Sequence, residues 1–241
     1  MSVGALDGRV ALVAGASSGI GLATALAFAD AGAHVHAAAR RPELIEEAAG
    51  DRVAAHALDV RDRDAIAQLA RRLTDEGPLH ALVVAAGINV KRRRFDETSP
   101  EDWDRILATN LTGAFDLVRA LLPALRETRG DVVLIGSVSG DWTDRSGSAY
   151  QASKAGLHAL VRAAAFDEEH GVRFTTVAPG VVDTPILENR PEVPDAEART
   201  KMLLPEDVAA ACLFAVSLPP RAYVPELTIL PTAMQALGRT S

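Results

Sequence analysis

The chain has 241 residues, 48% hydrophobic and 24% charged, the balance of a core-forming protein rather than a disordered one. A formal charge of -7 and a pI near 5.4 argue against a nucleic-acid partner, and a single cysteine, Cys212, excludes any disulfide within the chain. No apolar run approaches the roughly 18 residues of a membrane span. Met1–Gly8 lacks a charged stretch followed by an apolar one, so a cytoplasmic protein without membrane contact is expected.

Seven short runs rich in β-branched and small apolar residues recur along the chain: Arg9–Ala14, Ala33–Ala38, Arg52–Leu58, Ala81–Ala85, Asp131–Ile135, Val172–Val177 and Glu226–Leu230. They show little alternation, as strands buried on both faces do. Stripes at helical spacing lie between them, such as Ile66, Leu69, Ala70 and Leu73. Strand–helix repetition implies parallel strands joined by right-handed crossovers. The prediction is an α/β protein with a doubly wound seven-stranded parallel sheet, helices on both faces, and one domain over residues 1–241. The least patterned segment, 187–203, carries Pro191, Pro194 and many charges, and is predicted to be a lid over the substrate.

The first run feeds Gly15-Ala16-Ser17-Ser18-Gly19-Ile20-Gly21, after which helical spacing begins. Three glycines permit a tight turn and let backbone approach a pyrophosphate. The following helix offers free N–H groups and a positive dipole end to that anion. The second run ends in Ala38-Ala39-Arg40-Arg41. Enzymes that take NAD place a carboxylate there, whereas an arginine suits the 2′-phosphate of NADP. With Ala39 at the carboxylate position and Arg40 beside it, NADP(H) is the predicted preference and NAD(H) the alternative. Solvated surface arginines are the plain alternative for Arg40 and Arg41.

Lys91-Arg92-Arg93-Arg94 follows the fourth run, either as a solvated loop or as a recruiter of anionic substrate at the cleft mouth. Asn110 falls inside a predicted helix, Pro100–Leu125, where asparagine is a poor former. Ser137 closes the fifth run, at the strand end where open α/β sheets bind ligands, and its hydroxyl can hold a substrate oxygen. Trp142 and residues 138–147 are expected to line the same pocket. Tyr150 and Lys154 lie four apart in a helical stretch and share a face. A phenol titrates near pH ~10, and an adjacent ammonium lowers that value, so Tyr150 becomes a usable general acid/base. The six histidines show no ligand spacing, and no metal is expected.

In order and spacing these motifs resemble the short-chain dehydrogenase/reductase family, in its single-domain branch. The matches are Gly15-x-x-x-Gly19-x-Gly21, Asp59-Val60, Ala86-Gly87, Asn110-Leu111-Thr112-Gly113, Ser137, Tyr150-x-x-x-Lys154, and Pro179-Gly180 followed by Thr184, within a resemblance running from Leu6 to about Thr232. The resemblance implies a Rossmann fold and an oxidoreductase that moves a hydride between NADP(H) and a small carbonyl or alcohol substrate. It implies catalytic roles for Asn110, Ser137, Tyr150 and Lys154. Lys154 would also bond the nicotinamide ribose, and Asn110 would kink its helix and tie a water to the lysine. Cofactor contacts would come from Gly15, Ser17, Ser18, Gly19, Ile20, Gly21, Arg40, Arg41, Asp59 (to adenine), Val60, Ala86, Gly87, Asn110, Tyr150, Lys154, Pro179, Gly180, Val182 and Thr184. A homodimer or homotetramer through the helices around Asn110 and Lys154 is implied as well.

Two positions depart from the family pattern. Ala14 stands where a threonine is usual, and Val84-Ala85-Ala86-Gly87 where Asn-Asn-Ala-Gly is usual. Losing both polar partners together leaves no buried group unsatisfied, a defect that costs about 1–3 kcal/mol. The competing functions are an NAD-dependent alcohol dehydrogenase of the same family and a non-catalytic dinucleotide sensor. The intact Ser137, Tyr150 and Lys154 favour an enzyme over a sensor. The tail Val224–Thr232 resembles those of NADP-linked members acting on small hydroxy acids, aldehydes and ketones.

Overall fold

A computed structural model describes residues 4–234, so the first three residues of the Met1–Gly8 segment lie outside it. All seven predicted strands form: β1 (Val10–Ala14), β2 (His34–Ala39), β3 (Val53–Ala57), β4 (Ala81–Val84), β5 (Asp131–Ile135), β6 (Arg173–Pro179) and β7 (Glu226–Ile229). They make one parallel sheet in the order β3-β2-β1-β4-β5-β6-β7. The helices are α1 (Gly19–Asp30), α2 (Glu43–Ala49), α3 (Arg63–Glu76), α4 (Pro100–Leu107), α5 (Gly113–Thr128), α6 (Ser148–Asp167), α7 (Ala196–Arg199) and α8 (Pro205–Ser217).

The sheet is doubly wound, and β1 shows why its sequence lacks alternation. Ala11 and Val13 enter one core with Phe28, Ile45, Val208 and Cys212, on the side of α1, α2 and α8. Leu12 and Ala14 enter the other with Ile66, Leu69, Leu117, Leu121 and Leu157, on the side of α3, α5 and α6. Both faces demand apolar residues, so every position is apolar. Strand order reverses between β1 and β4, which opens a crevice at their carboxyl ends, where such sheets bind ligands. The opposite edge is closed by charge: buried Asp131 pairs with Arg9 at 2.7 Å and Arg173 at 2.6 Å.

One predicted helix is broken. The stretch expected as Pro100–Leu125 is α4, then a wide π-type turn over Ala108–Thr112, then α5. Asn110 sits in that turn with 1% exposure. Its Oδ1 accepts from the Ile88 N–H at 2.8 Å, and its Nδ2 donates to the Ile88 carbonyl at 3.0 Å and to Ser153 Oγ at 3.1 Å. These bonds to another segment and to α6 satisfy an amide that a regular helix would bury unpaired. Single π turns of this kind occur often at functional sites.

The outer strands carry a histidine pair with a testable consequence. His36 Nδ1 and His56 Nε2 are 2.9 Å apart, with His34, Arg72 and Glu76 around them. Burial, then the His36 imidazole, pushes His56 down to about 4, and His36 is lowered by burial and then by His34. A histidine whose folded pKa is depressed takes up its proton first in the unfolded chain, so stability falls as pH drops from about 6.5 toward 4. After discounting for partial exposure, the expected loss is about 1–2 kcal/mol. Urea midpoints of the wild type and His56→Gln at pH values across this window check it. A variant that loses stability on acidification as steeply as the wild type does would overturn the assignment.

Candidate active site

The crevice is a cleft of about 460 Å³. That is within the usual size of small-molecule sites. One end is the turn after β1. Gly15 has φ +89, and a Cβ there would meet the backbone N of Ala86 at 2.4 Å. The glycine loop and the β4 loop are thus in backbone contact, and Ala14 pairs with Val84 while the Ala85 N–H donates to the Ala14 carbonyl at 2.8 Å. Alanines in place of the family's polar side chains close this junction by packing. Gly21 is packed against Gly15, where a Cβ would lie 2.2 Å from the Gly15 carbonyl oxygen. Gly19, at φ +54, faces Thr184 across the cleft, and a Cβ would touch Thr184 Cγ2 at 3.0 Å. These bare backbones at the start of α1 form a cradle that fits a pyrophosphate.

Arg40 and Arg41 line the cleft just beyond Ala39, the last residue of β2, and both are exposed. Asp59 lies beside them and pairs with Arg61 at 2.6 Å. Hydrogen bonding from Arg61 holds the Asp59 carboxyl down at about 2. With Arg40 and Arg41 on this wall and no carboxylate at the end of β2, the residues present fit an adenosine carrying a 2′-phosphate.

At the far end stand Ser137, Tyr150 and Lys154. Ser137 follows β5; its hydroxyl accepts from the Ser139 N–H at 3.1 Å and acts on the Tyr150 phenol across the cleft. Lys154 Nζ donates to the Ile135 carbonyl at 2.7 Å and lies 5.7 Å from the centre of the Tyr150 ring. Burial lowers its ammonium to about 8 and pushes the Tyr150 phenol up to about 12. The sequence assigned the lowering of the phenol to Lys154. In the structure the downward pull comes from the Ser137 hydroxyl and the guanidiniums of Arg93 and Arg190, because Lys154 Nζ is turned to the Ile135 carbonyl.

The cleft is lined by Gly15, Ser17, Ser18, Gly19, Ile20, Gly21, Arg40, Arg41, Asp59, Val60, Ala86, Gly87, Ser137, Tyr150, Lys154, Pro179, Gly180, Val182 and Thr184. Asn110 alone of the predicted site residues stands behind the wall; a Cβ on Gly87 would be 3.7 Å from both Asn110 Oδ1 and Lys154 Nζ. Of the stretch 138–147, Val138, Ser139, Asp144 and Ser146 reach the cleft, whereas Trp142 is half-buried outside it.

Several groups at this end were not singled out individually by the sequence, although Arg93 belongs to the basic run and Asp144 to the stretch expected at the cleft. Arg93 alone of Lys91–Arg94 is buried, at 8% exposure; its Nε donates to the Val90 carbonyl at 2.9 Å and its Nη2 to the Asn189 carbonyl. Asp144 accepts from Ser139 Oγ at 2.5 Å and from the Ser146 N–H at 2.8 Å. His158 lies beneath Ser137, its Nε2 accepting from the Ser137 N–H at 3.4 Å and its Nδ1 3.0 Å from Asp141 Oδ2. Glu226 brings a third ligand-type atom near this pair. Despite this approach, His158 Nδ1 is buried without a hydrogen-bond partner among the described residues.

Comparison with known proteins agrees with this geometry. A family model described as short chain dehydrogenase matches residues 9–194. A 3-oxoacyl-acyl-carrier-protein reductase of Thermotoga maritima is 34% identical over 226 residues, covering 88% of this chain and 92% of the relative. Sulfoacetaldehyde reductase 2 of Chromohalobacter salexigens is 34% identical over 241 residues, covering 92% of this chain and 94% of the relative. The solved alcohol dehydrogenase of the archaeon Thermococcus sibiricus, complexed with 5-hydroxy-NADP, superposes with a TM-score of 0.86 at 28% identity, covering 94% of this chain and 98% of that one. The fold and the cleft define a nicotinamide-dependent oxidoreductase acting on CH–OH groups. The chain belongs to the short-chain dehydrogenase/reductase family.

Proposed function

We propose that the protein interconverts a small carbonyl compound and its alcohol, with NADP(H) preferred over NAD(H). The observation that carries this reading is the convergence of Ser137, Tyr150 and Lys154 at one end of a cleft whose other end is the glycine cradle. When bound, the nicotinamide supplies or accepts the hydride. Ser137 holds the substrate oxygen and stabilises its developing negative charge. Tyr150 delivers the proton to that oxygen in reduction and removes it in oxidation. Lys154, one helical turn along α6, holds the nicotinamide ribose hydroxyls, and Asn110 braces the loop at Ile88 against α6. Segment 187–203 covers the substrate.

The preference for NADP(H) rests on Arg40 beside Ala39. A charge-assisted bond to the 2′-phosphate favours binding by about ten- to a hundredfold. Arg40→Ala is expected to erase most of that margin and Arg41→Ala less of it. Dissociation constants for NADPH and NADH measured on all three proteins check this, and a wild type that prefers NADH would overturn it. Turnover screens over small aldehydes, ketones and hydroxy acids test the activity itself. Tight dinucleotide binding without turnover of any of these would favour a sensor. Exposed Phe115 on α5 and Phe166 on α6, 44% and 89% accessible, support a homo-oligomer formed through those helices.

A further inference from the structure

Two guanidiniums converge on the reacting end of the cleft from different loops. Arg93 comes from the segment after β4 and Arg190 from the segment after β6, and both line the cleft with Ser137 and Tyr150. Each acts electrostatically on the Tyr150 phenol, and they repel one another. Arg93 is held by the Val90 and Asn189 carbonyls, which bond its nitrogens without neutralising its charge. The single carboxylate near them is Asp144, which Ser139 and Ser146 already engage. Two cations against one anion leave this corner positive.

The loops around the pair are tied to one another. Asn89 Nδ2 donates to the Ser146 carbonyl at 3.0 Å, and Gly147 packs so closely that a Cβ would meet the Arg93 carbonyl oxygen at 2.4 Å. Loops 88–94, 144–147 and 185–190 are thereby joined around the two arginines. Burying like charges together is costly unless an anion completes the set. Burial also lowers both guanidiniums, which marks that cost. The pyrophosphate cradle lies at the other end of the cleft, at Gly15–Gly21, and Arg40 and Arg41 serve the adenosine wall. The anion that belongs between Arg93 and Arg190 is therefore part of the substrate.

We propose that Arg93 and Arg190 form an oxyanion-binding subsite, so that the substrate is a short aldehyde, ketone or hydroxy compound bearing a carboxylate, sulfonate or phosphate group. This rests on the proposed carbonyl–alcohol chemistry and specifies its substrate class. Arg190 is the residue to change, because Arg93 also tethers the loops. Succinic semialdehyde, sulfoacetaldehyde and glycolaldehyde phosphate provide carboxylate, sulfonate and phosphate arms, and the methyl ester of succinic semialdehyde is the neutral control. The wild type is expected to favour at least one anionic aldehyde over the ester by about tenfold or more in kcat/KM. Arg190→Gln should remove most of that ratio, and Arg190→Lys should restore part of it. The ester also loses some rate in Arg190→Gln, since this guanidinium acts on the Tyr150 phenol, so the ratio is the readout. Equal use of ester and acids by the wild type, or equal loss for both in the variant, overturns the subsite while leaving the carbonyl–alcohol reading intact. If no aldehyde is turned over, succinate binding to the NADPH complex, followed by nicotinamide fluorescence, reads the subsite separately. Binding that weakens about tenfold in Arg190→Gln supports it, and absence of binding to the wild type overturns it.

Discussion

Replacing Tyr150 by Phe is expected to lower turnover by about 10²–10⁴-fold, the usual contribution of a general acid/base. One oxygen is removed and the ring is kept, so fold and dinucleotide affinity should stay near wild type. The Ser137 hydroxyl keeps its bond with the Ser139 N–H, which limits the structural loss. The direction of the effect follows from the phenol's environment. Burial holds it up near 12, so at neutral pH it carries its proton and is set to give that proton to a developing alkoxide. Reduction should therefore run well at neutral pH, and oxidation should speed up as pH rises toward the phenol's value. Initial rates in both directions across pH, for wild type and variant, check this. A well-folded Tyr150→Phe protein that keeps most of its activity would sink the role assigned to the phenol.

How much of this the sequence discloses depends on whether a feature is local. The strands were legible because both faces of the sheet are buried, which imposes an apolar residue at every position of β1 and β4 and at every position of β5 after Asp131. The glycine cradle was legible because a turn leading into a helix needs its own backbone freedom. The break at Asn110 was legible only through the family resemblance, since its physical cause lies in Ile88 and Ser153, distant in the chain. Arg93 was hidden among four consecutive cations that look alike in sequence. Only the Val90 and Asn189 carbonyls distinguish it, by turning it inward. Arg190 lies in a stretch without periodicity. The i, i+4 spacing of Tyr150 and Lys154 gave the shared face correctly but misled on electrostatics, because a long side chain can swing its ammonium away, here to Ile135.

Gly19→Ala is expected to weaken dinucleotide binding by about tenfold or more, and Gly19→Val further, since a β-branched residue tolerates a positive φ least. The difficulty with such a test is that any residue at φ +54 strains the backbone, so lost binding could follow from lost stability. Gly50 supplies the control. It has φ +55, yet a Cβ there would meet nothing within 4 Å, and Gly50 does not line the cleft. Alanine should cost roughly 1–2 kcal/mol of stability at Gly19 through its positive φ alone, and at least as much at Gly50, whose ψ of -143 lies outside the left-handed helical well. At Gly19 the added methyl also enters the gap facing Thr184, where backbone must approach the pyrophosphate. Urea unfolding and fluorescence titration with NADPH, run on both variants, separate the two effects. Stability lost in both variants with binding lost only in Gly19→Ala assigns the gap to the cofactor. Equal affinity in the two variants would mean that Gly19 serves the turn and not the phosphates.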